Sequence, residues 1–421
     1  MSSSWRLGVL AVASVLLSTT AVLAARGVDR PSPAPPSDAA VRDTDIAFFE
    51  ARVQRDPYGA RDRAALGALY LARARAQGSE ADLERAEALA RESWERRDKR
   101  NPDALPLLIG ALMAQHKFGE ARTAAVTLDR VDPSTVATAT LGEIDLELGR
   151  YTEADSLFAS LSVQRTAPAV APRYARWLEL NGRSAEARDL LNAMRTSALG
   201  GYRTPASQLA WYDLRIGDLA YRNGRADLAD AAYRRGLAAQ PEDARLLTAL
   251  GQLRGAQGRW RETIVLGERA LASLFDPATL GLLSHAYLAI GDSAKSAEYA
   301  QATEVAVSRS PGAFHRGWAL FLLDRGRQVD TILARARTDL RTRKDVYGYD
   351  LTAWALYRSG HLRDAMTMID SALARGTRDA TLHYHAARIA EALGDGARQR
   401  LEDDSALAIS RLAVSFIAGT R

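Results

Sequence analysis

Residues 250–263 read Leu250-Gly251-Gln252-Leu253-Arg254-Gly255-Ala256-Gln257-Gly258-Arg259-Trp260-Arg261-Glu262-Thr263. Gly258 stands between two helix-competent runs, with a small residue seven places before it and another five places after. Glycine suits the middle position because a helix that must stop and reverse does so through a left-handed residue. Small residues suit the flanks because antiparallel helices joined by a short turn approach closely only where facing side chains are small.

The chain repeats this stretch. Glycine turns fall at Gly149, Gly182, Gly224, Gly258, Gly291, Gly326, Gly360 and Gly394, at intervals of 33, 42, 34, 33, 35, 34 and 34 residues. Seven places before them stand Gly142, Ala175, Gly217, Gly251, Ser284, Ala319, Ala353 and Ala387. Five places after stand Ala154, Ala187, Ala229, Thr263, Ser296, Thr331 and Ala365, and only Gln399 breaks the series. Leu141, Ile216, Leu250 and Leu283, one place before the first small residue, supply bulk for the seam. A period near 34 in a chain dominated by helix formers predicts an all-α superhelical solenoid of about nine to ten helix-turn-helix repeats.

The pattern resembles the tetratricopeptide repeat family, which carries small residues at these places and often proline at the end of a unit. Pro133 and Pro241 fall at that end position, and Pro102, Pro277 and Pro311 lie near the ends of other units. One period before Gly149, His116-Lys117-Phe118 followed by Ala121 makes another unit. Earlier still, Leu66-Gly67 with Tyr70 and Ala86 makes a divergent first unit, with a longer connection through Gly78. The resemblance covers about Arg61 to Gln399. It departs from the family in lacking the first-helix tryptophan and in keeping the turn aromatic only as Phe118, Tyr151 and Trp260.

The 42-residue interval places a loop at 198–205, through Leu199-Gly200-Gly201-Tyr202-Arg203-Thr204-Pro205. It separates repeats over 44–197 from repeats over 206–399. The tail, 400–421, reads as a capping helix, with Leu401, Ile409, Leu412 and Phe416 at core-like spacing. A dimer contact is the alternative reading of its apolar end.

The N-terminus carries an apolar segment from Leu7 to Ala25, after Arg6, with Val22 and Ala24 placed as a small-x-small cleavage site. Residues 1–25 therefore read either as a cleaved signal peptide or as a membrane anchor of near-spanning length. Pro31, Pro33, Pro35 and Pro36 mark a linker over 26–43. Both readings place the mature protein outside the cytoplasm, periplasmic or otherwise extracytoplasmic.

Composition excludes several chemistries. The chain has no cysteine among its 421 residues, which removes disulfides, thiolate metal sites and cysteine nucleophiles. A net charge of +5 is small for this length. The densest basic stretch, Arg335, Arg337, Arg341, Arg343 and Lys344 around Asp339, reads as the solvated face of a helix, so no nucleic-acid partner is expected. His383 and His385 are the only close histidine pair, and two places apart on a helix they point to opposite sides. Asp403, Asp404 and Glu402 read as solvated. No phosphate-cradling loop, His-Glu-x-x-His or nucleophile elbow appears. The sequence predicts no enzyme, no cofactor and no metal.

Binding is the function left. The resemblance implies that first helices line a concave groove, faced by the places three and six before each small residue, four after it, and, where the family keeps its clamp, one after it. The places one after hold Glu143, Arg176, Asp218, Gln252 and His285, which do not match the family's Lys/Asn clamp for a C-terminal carboxylate. The mapped face comprises Trp211, Asp218, Tyr221, Arg245, His285, Arg316, Tyr347, Asp350, Trp354, Tyr357, Tyr384 and Arg388. Independently, Tyr347, Asp350, Trp354 and Tyr357 share one helical stripe, and such a stripe is either groove or core. Aromatic anchors beside Asp and Arg suit a protein or peptide partner. An envelope polymer or glycan, or an enzyme to which the chain is a regulatory subunit, are the alternative partners. Partner identity and oligomeric state are not encoded legibly.

Overall fold

The computed structural model describes residues 38–99, 101, 103–201, 204–309 and 316–419. The apolar segment and the prolines after it lie outside these residues. Among the described residues every regular element is a helix, and no helix is long and apolar enough to cross a membrane.

A leading helix α1 (Asp38–Arg55) is followed by ten antiparallel pairs. The first five are α2 (Ala60–Gln77) with α3 (Glu80–Arg96), α4 (Ala104–Ala114) with α5 (Phe118–Val131), α6 (Thr135–Glu147) with α7 (Tyr151–Ser160), α8 (Ala171–Leu180) with α9 (Ser184–Leu199), and α10 (Ala206–Arg222) with α11 (Ala226–Ala239). The second five are α12 (Ala244–Ala256) with α13 (Trp260–Ser273), α14 (Pro277–Ala289) with α15 (Ser293–Arg309), α16 (Arg316–Asp324) with α17 (Val329–Asp339), α18 (Val346–Arg358) with α19 (Leu362–Leu373), and α20 (Ala380–Leu393) with α21 (Gly396–Gly419).

The turns are built as the sequence predicts. All eight periodic glycines have positive φ, between 65° and 86°. At Gly258 the Arg259 N–H returns to the Arg254 carbonyl at 2.8 Å, which closes the helix through a left-handed residue. First helices start on side-chain caps: Asp243 accepts from the Arg245 and Leu246 amides, and Asp276, Asp345 and Asp379 do likewise for α14, α18 and α20.

The small-residue seams also form. The Thr263 hydroxyl donates to the Gly251 carbonyl at 2.9 Å, and Ser284 donates to the Ser296 carbonyl at 2.8 Å. A Cβ at Gly142 would meet the Phe158 ring at 2.9 Å, so the second helix presses a ring directly onto first-helix backbone.

Several expectations need correction. The linker ends sooner than 43, because Asp38 already opens α1. The first pair has a short connection through Gly78 and Ser79; the extra residues lengthen α2 instead of the loop. The loop expected over 198–205 is shorter, 200–205, because α9 runs on to Leu199; it joins α9 to α10, with residues 202–203 outside the described set. The tail is not one straight cap. Ser410 has φ −157° and ψ 100° inside α21, which breaks the helix there. Leu401, expected in the core, is 60% exposed because the face it shares points away from α20.

Residues 45–421 form one compact unit, and within it the superhelix returns onto itself. The Lys344 amide donates to the Leu148 carbonyl, and the Val346 amide to the Tyr151 hydroxyl at 2.8 Å. The Arg375 guanidinium grips both oxygens of Asp155, and the Thr377 hydroxyl donates to the Leu180 carbonyl at 2.7 Å. The Ser410 hydroxyl donates to the Tyr221 carbonyl at 3.2 Å. Three of these pairs are separated by 195, 197 and 189 residues, about six 34-residue repeats. One superhelical turn therefore rests on the next through loop-to-turn contacts.

Candidate functional site

Because first helices lie side by side along the inner face, their inward residues meet in one cavity. Its volume is about 940 Å³. Glu143, Arg176, Asp218, Gln252 and His285, each one place after a seam residue, all line it. The geometry explains this: a step of one residue turns roughly 100° from the seam, away from the second helix and toward the lumen.

Ion pairs tie neighbouring first helices together along the wall. Glu179 on α8 accepts from Arg176 at 3.0 Å, Arg215 at 3.1 Å and Arg222 at 2.5 Å, the last two from α10. Burial opposes its charge, but the three guanidiniums hold its carboxyl far below the ordinary range. Upstream, Arg173 of α8 reaches Glu143 of α6 at 2.8 Å. A second ladder joins α16, α18 and α20. Arg316 pairs with Asp350, whose other oxygen meets His385 Nδ1 at 2.7 Å. Against full burial, these two partners hold Asp350 at about 2.

The two ladders meet at Tyr347. Arg176 lies 5.5 Å and Arg316 4.9 Å from its ring centre, one from each superhelical turn. Burial and the Asp379 charge push the Tyr347 hydroxyl up to about 12, so it remains a donor at neutral pH. The Tyr221 hydroxyl is buried with no hydrogen bond and has the Gln252 amide as its polar neighbour.

Among the described residues the cavity is lined by five arginines and five carboxylates. Their formal charges cancel along the wall. That balance suits a partner with its own mixed polar groups and an aromatic or aliphatic anchor.

Of the twelve residues mapped from sequence, Trp211, Asp218, Tyr221, His285, Arg316 and Tyr347 line the cavity. Asp350 lies beneath it, fully buried. Trp354 is core: it is 0% exposed, donates from Nε1 to Asp324 at 3.0 Å, and stacks on His385 with ring centres 4.0 Å apart. Tyr357 stacks on Trp354 outside the cavity. Tyr384 is buried, and Arg388 is spent on Glu391 and Asp403. Arg245 is exposed and pairs with Asp243 at its own helix start. The stripe Tyr347–Tyr357 thus faces α20 more than the lumen.

Sequence reasoning missed Arg215, Arg222, Arg343 and Phe416. Arg343, read as solvated, turns inward, with Glu147 at 3.6 Å and the Phe118 ring at 5.1 Å. Glu402, also read as solvated, is buried between His383 and Arg398. His383 and His385 do take separate partners. Only the Arg215–Asp218 and Arg176–Glu179 i, i+3 spacings hinted at the ladder.

No protein-family model matches the chain, and no curated protein matches it. Solved structures similar to it include the type IV pilus biogenesis factor PilW, at 20% identity over 49% of this chain and 94% of that one, with a TM-score of 0.41. A tetratricopeptide repeat protein from Parabacteroides merdae is 17% identical over 58% of this chain and 92% of its own, with a TM-score of 0.44. The human IFIT1 dimer with PPP-AAAA is 14% identical over 90% of this chain and 96% of that one, also at 0.44. The resemblance to tetratricopeptide repeats rests on the helix pairs, left-handed glycines and small-residue seams of the chain itself.

Proposed function

We propose that the chain is an exported or membrane-tethered interaction scaffold that receives a segment of a partner protein in its lumen. One observation carries the reading. Trp211, Asp218, Tyr221, His285, Arg316 and Tyr347, from four first helices, converge on a single open cavity of about 940 Å³. Aromatic rings supply anchor area there, and the paired charges orient polar groups without favouring either sign. The apolar segment Leu7–Ala25 and the prolines after it support delivery outside the cytoplasm.

Site-specific photocrosslinking tests the lumen. A crosslinker replacing Trp211 should capture a protein partner, while one at Arg245, outside the cavity, should not. Trp211→Ala with Asp218→Ala should lower capture about ten-fold or more, as loss of anchor residues does, with circular dichroism unchanged. Equal capture from both crosslinker positions would remove the lumen as the binding surface. Fractionation of cells expressing the chain with and without residues 1–25 tests export: both forms remaining cytoplasmic would overturn that part.

A further inference from the structure

The last turns of α21 do something other than cap the stack. Residues 396–409 already cover α20, with Glu402 and Asp403 paired to His383 and Arg388. Beyond Ser410 the chain leaves the last repeat and packs against α10 and α12, four to five helix pairs earlier. Ser410 organises the departure. Its hydroxyl donates to the Tyr221 carbonyl and accepts from the Ala413 amide at 3.1 Å, so it anchors the break and caps the new helical segment together.

That segment seats apolar side chains in the lumen wall. Ala413, Phe416 and Ile417 line the cavity, and Leu412 packs with Phe416 against the cluster around Tyr221 and Leu250. The Phe416 ring lies 6.2 Å from Trp260 and 6.3 Å from His285. Position 255 is glycine: a Cβ there would stand 2.8 Å from the Trp260 ring and 3.1 Å from the Phe416 ring, so both rings settle over bare backbone. Burial and the adjacent Arg325 lower His285 to about 3, which leaves it a neutral ring toward Phe416. The opposite face, Arg411, Ser415 and Ala418, is exposed. Among the described residues past the hinge only Ala413 is buried, while Leu412, Val414, Phe416 and Ile417 stay half-buried, so the seat is shallow.

We propose that this seat, walled by Tyr221, Gly255, Trp260 and His285, binds an amphipathic helical segment of a partner protein presenting an aliphatic residue and an aromatic four places later, and that residues 411–419 are its tethered, displaceable occupant. The inference rests on the lumen being the partner site and names the partner's chemistry: a helix laid in a groove by i, i+4 anchors. Tethering holds the tail at millimolar effective concentration, so a partner must outcompete it and weak encounters are rejected.

A fluorescein-labelled peptide of residues 408–421 tests this against three proteins: the full chain, full-length Phe416→Ala, and a chain ending at Ser410. The peptide should bind the truncated chain and Phe416→Ala about ten-fold or more tighter than the intact chain, whose own tail competes. A peptide carrying the Phe416→Ala change should lose binding to all three. Amides of 411–419 in the intact chain should exchange faster than those of α10. Equal peptide affinity for all three proteins, no binding to any, or melting of the helices in both variants would overturn the proposal. Each of those results leaves the Trp211 crosslink standing, so the tail and the lumen fail separately.

Discussion

At the scale of single residues, Asp350 shows what the ladder is for. A carboxylate with no exposure survives in the interior only because Arg316 and His385 compensate its lost hydration. Asp350→Ala should cost about 3–5 kcal/mol, since it leaves the half-buried Arg316 guanidinium and the buried His385 ring without their carboxylate. The sign of its pH dependence follows from its depressed pKa, which falls from an ordinary 3.8 to about 2 in the folded state. Its stabilisation, about 2 kcal/mol at neutral pH, is complete above pH 4 and is lost as pH falls from about 4 to 2. Melting temperatures across that window should drop more steeply for the natural chain than for Asp350→Ala, where Glu179, Asp155, Glu402 and Glu87, all held low by ion pairs, supply the remaining acid sensitivity. Trp354→Ala should cost about 3–5 kcal/mol as a core truncation, and equilibrium denaturation checks it: an unchanged midpoint would return Trp354 to the surface. The sequence placed both residues on one stripe correctly. Their side was not legible, because Tyr347, Asp350, Trp354 and Tyr357 lie within about 80° of one another at 100° per residue. Within that arc the lumen and the neighbouring first helix adjoin, and Tyr347 points to one while Trp354 points to the other.

At the scale of elements, two glycines with the same backbone separate local from distant constraint. Gly149 and Gly258 have φ of 73° and 74°. Around Gly258 no atom lies within 4 Å of an added Cβ, whereas one at Gly149 would run into the Lys344 carbonyl on the next superhelical turn. Gly258→Ala should therefore cost about 1–2 kcal/mol, the price of a left-handed alanine alone. Gly149→Ala should add about 1–3 kcal/mol for the clash with backbone. Denaturant titration of the two variants reads the difference, and equal losses would mean that the inter-turn contact contributes nothing. Periodic glycines and small residues made the helix pairs legible, because both enforce contacts within about 34 residues. The same register placed Glu143, Arg176, Asp218, Gln252 and His285 on one wall. The break at Ser410 was not legible, since serine is tolerated inside helices and its partner, the Tyr221 carbonyl, lies 189 residues away.

At the scale of the whole unit, the return of one superhelical turn onto another converts an open trough into a bounded cavity. Nothing in a repeat's own sequence states its pitch, and small rotations accumulated over six units decide whether the turns touch. The contact residues are therefore scattered: Asp155, Arg375 and Thr377 belong to no motif, and Tyr151, a turn aromatic of its own repeat, carries no sign of a distant partner. Among them the Arg375–Asp155 pair has the best geometry, at 2.9 and 2.6 Å, with Arg375 also 4.5 Å from the centre of the Tyr151 ring. Arg375→Glu sets two carboxylates against each other there and removes the ring contact. Its effect on each helix pair should be small, because neither residue belongs to a small-residue seam. Its effect on pitch should be large, because the inter-turn hydrogen bonds that remain are neutral and worth about 1 kcal/mol each, and the other charged pair across the turns, Arg343–Glu147, is long at 3.6 Å. Small-angle scattering of Arg375→Glu should show a longer particle with unchanged helical content, and Arg375→Lys, which keeps the charge, should stay close to the natural profile. If the glutamate variant scatters as the natural chain does, the turns are held by backbone shape rather than by this pair. If it lengthens, crosslinking from Trp211 should change with it, since Arg176 and Arg316 reach Tyr347 from opposite turns and the lumen exists only while both are in place.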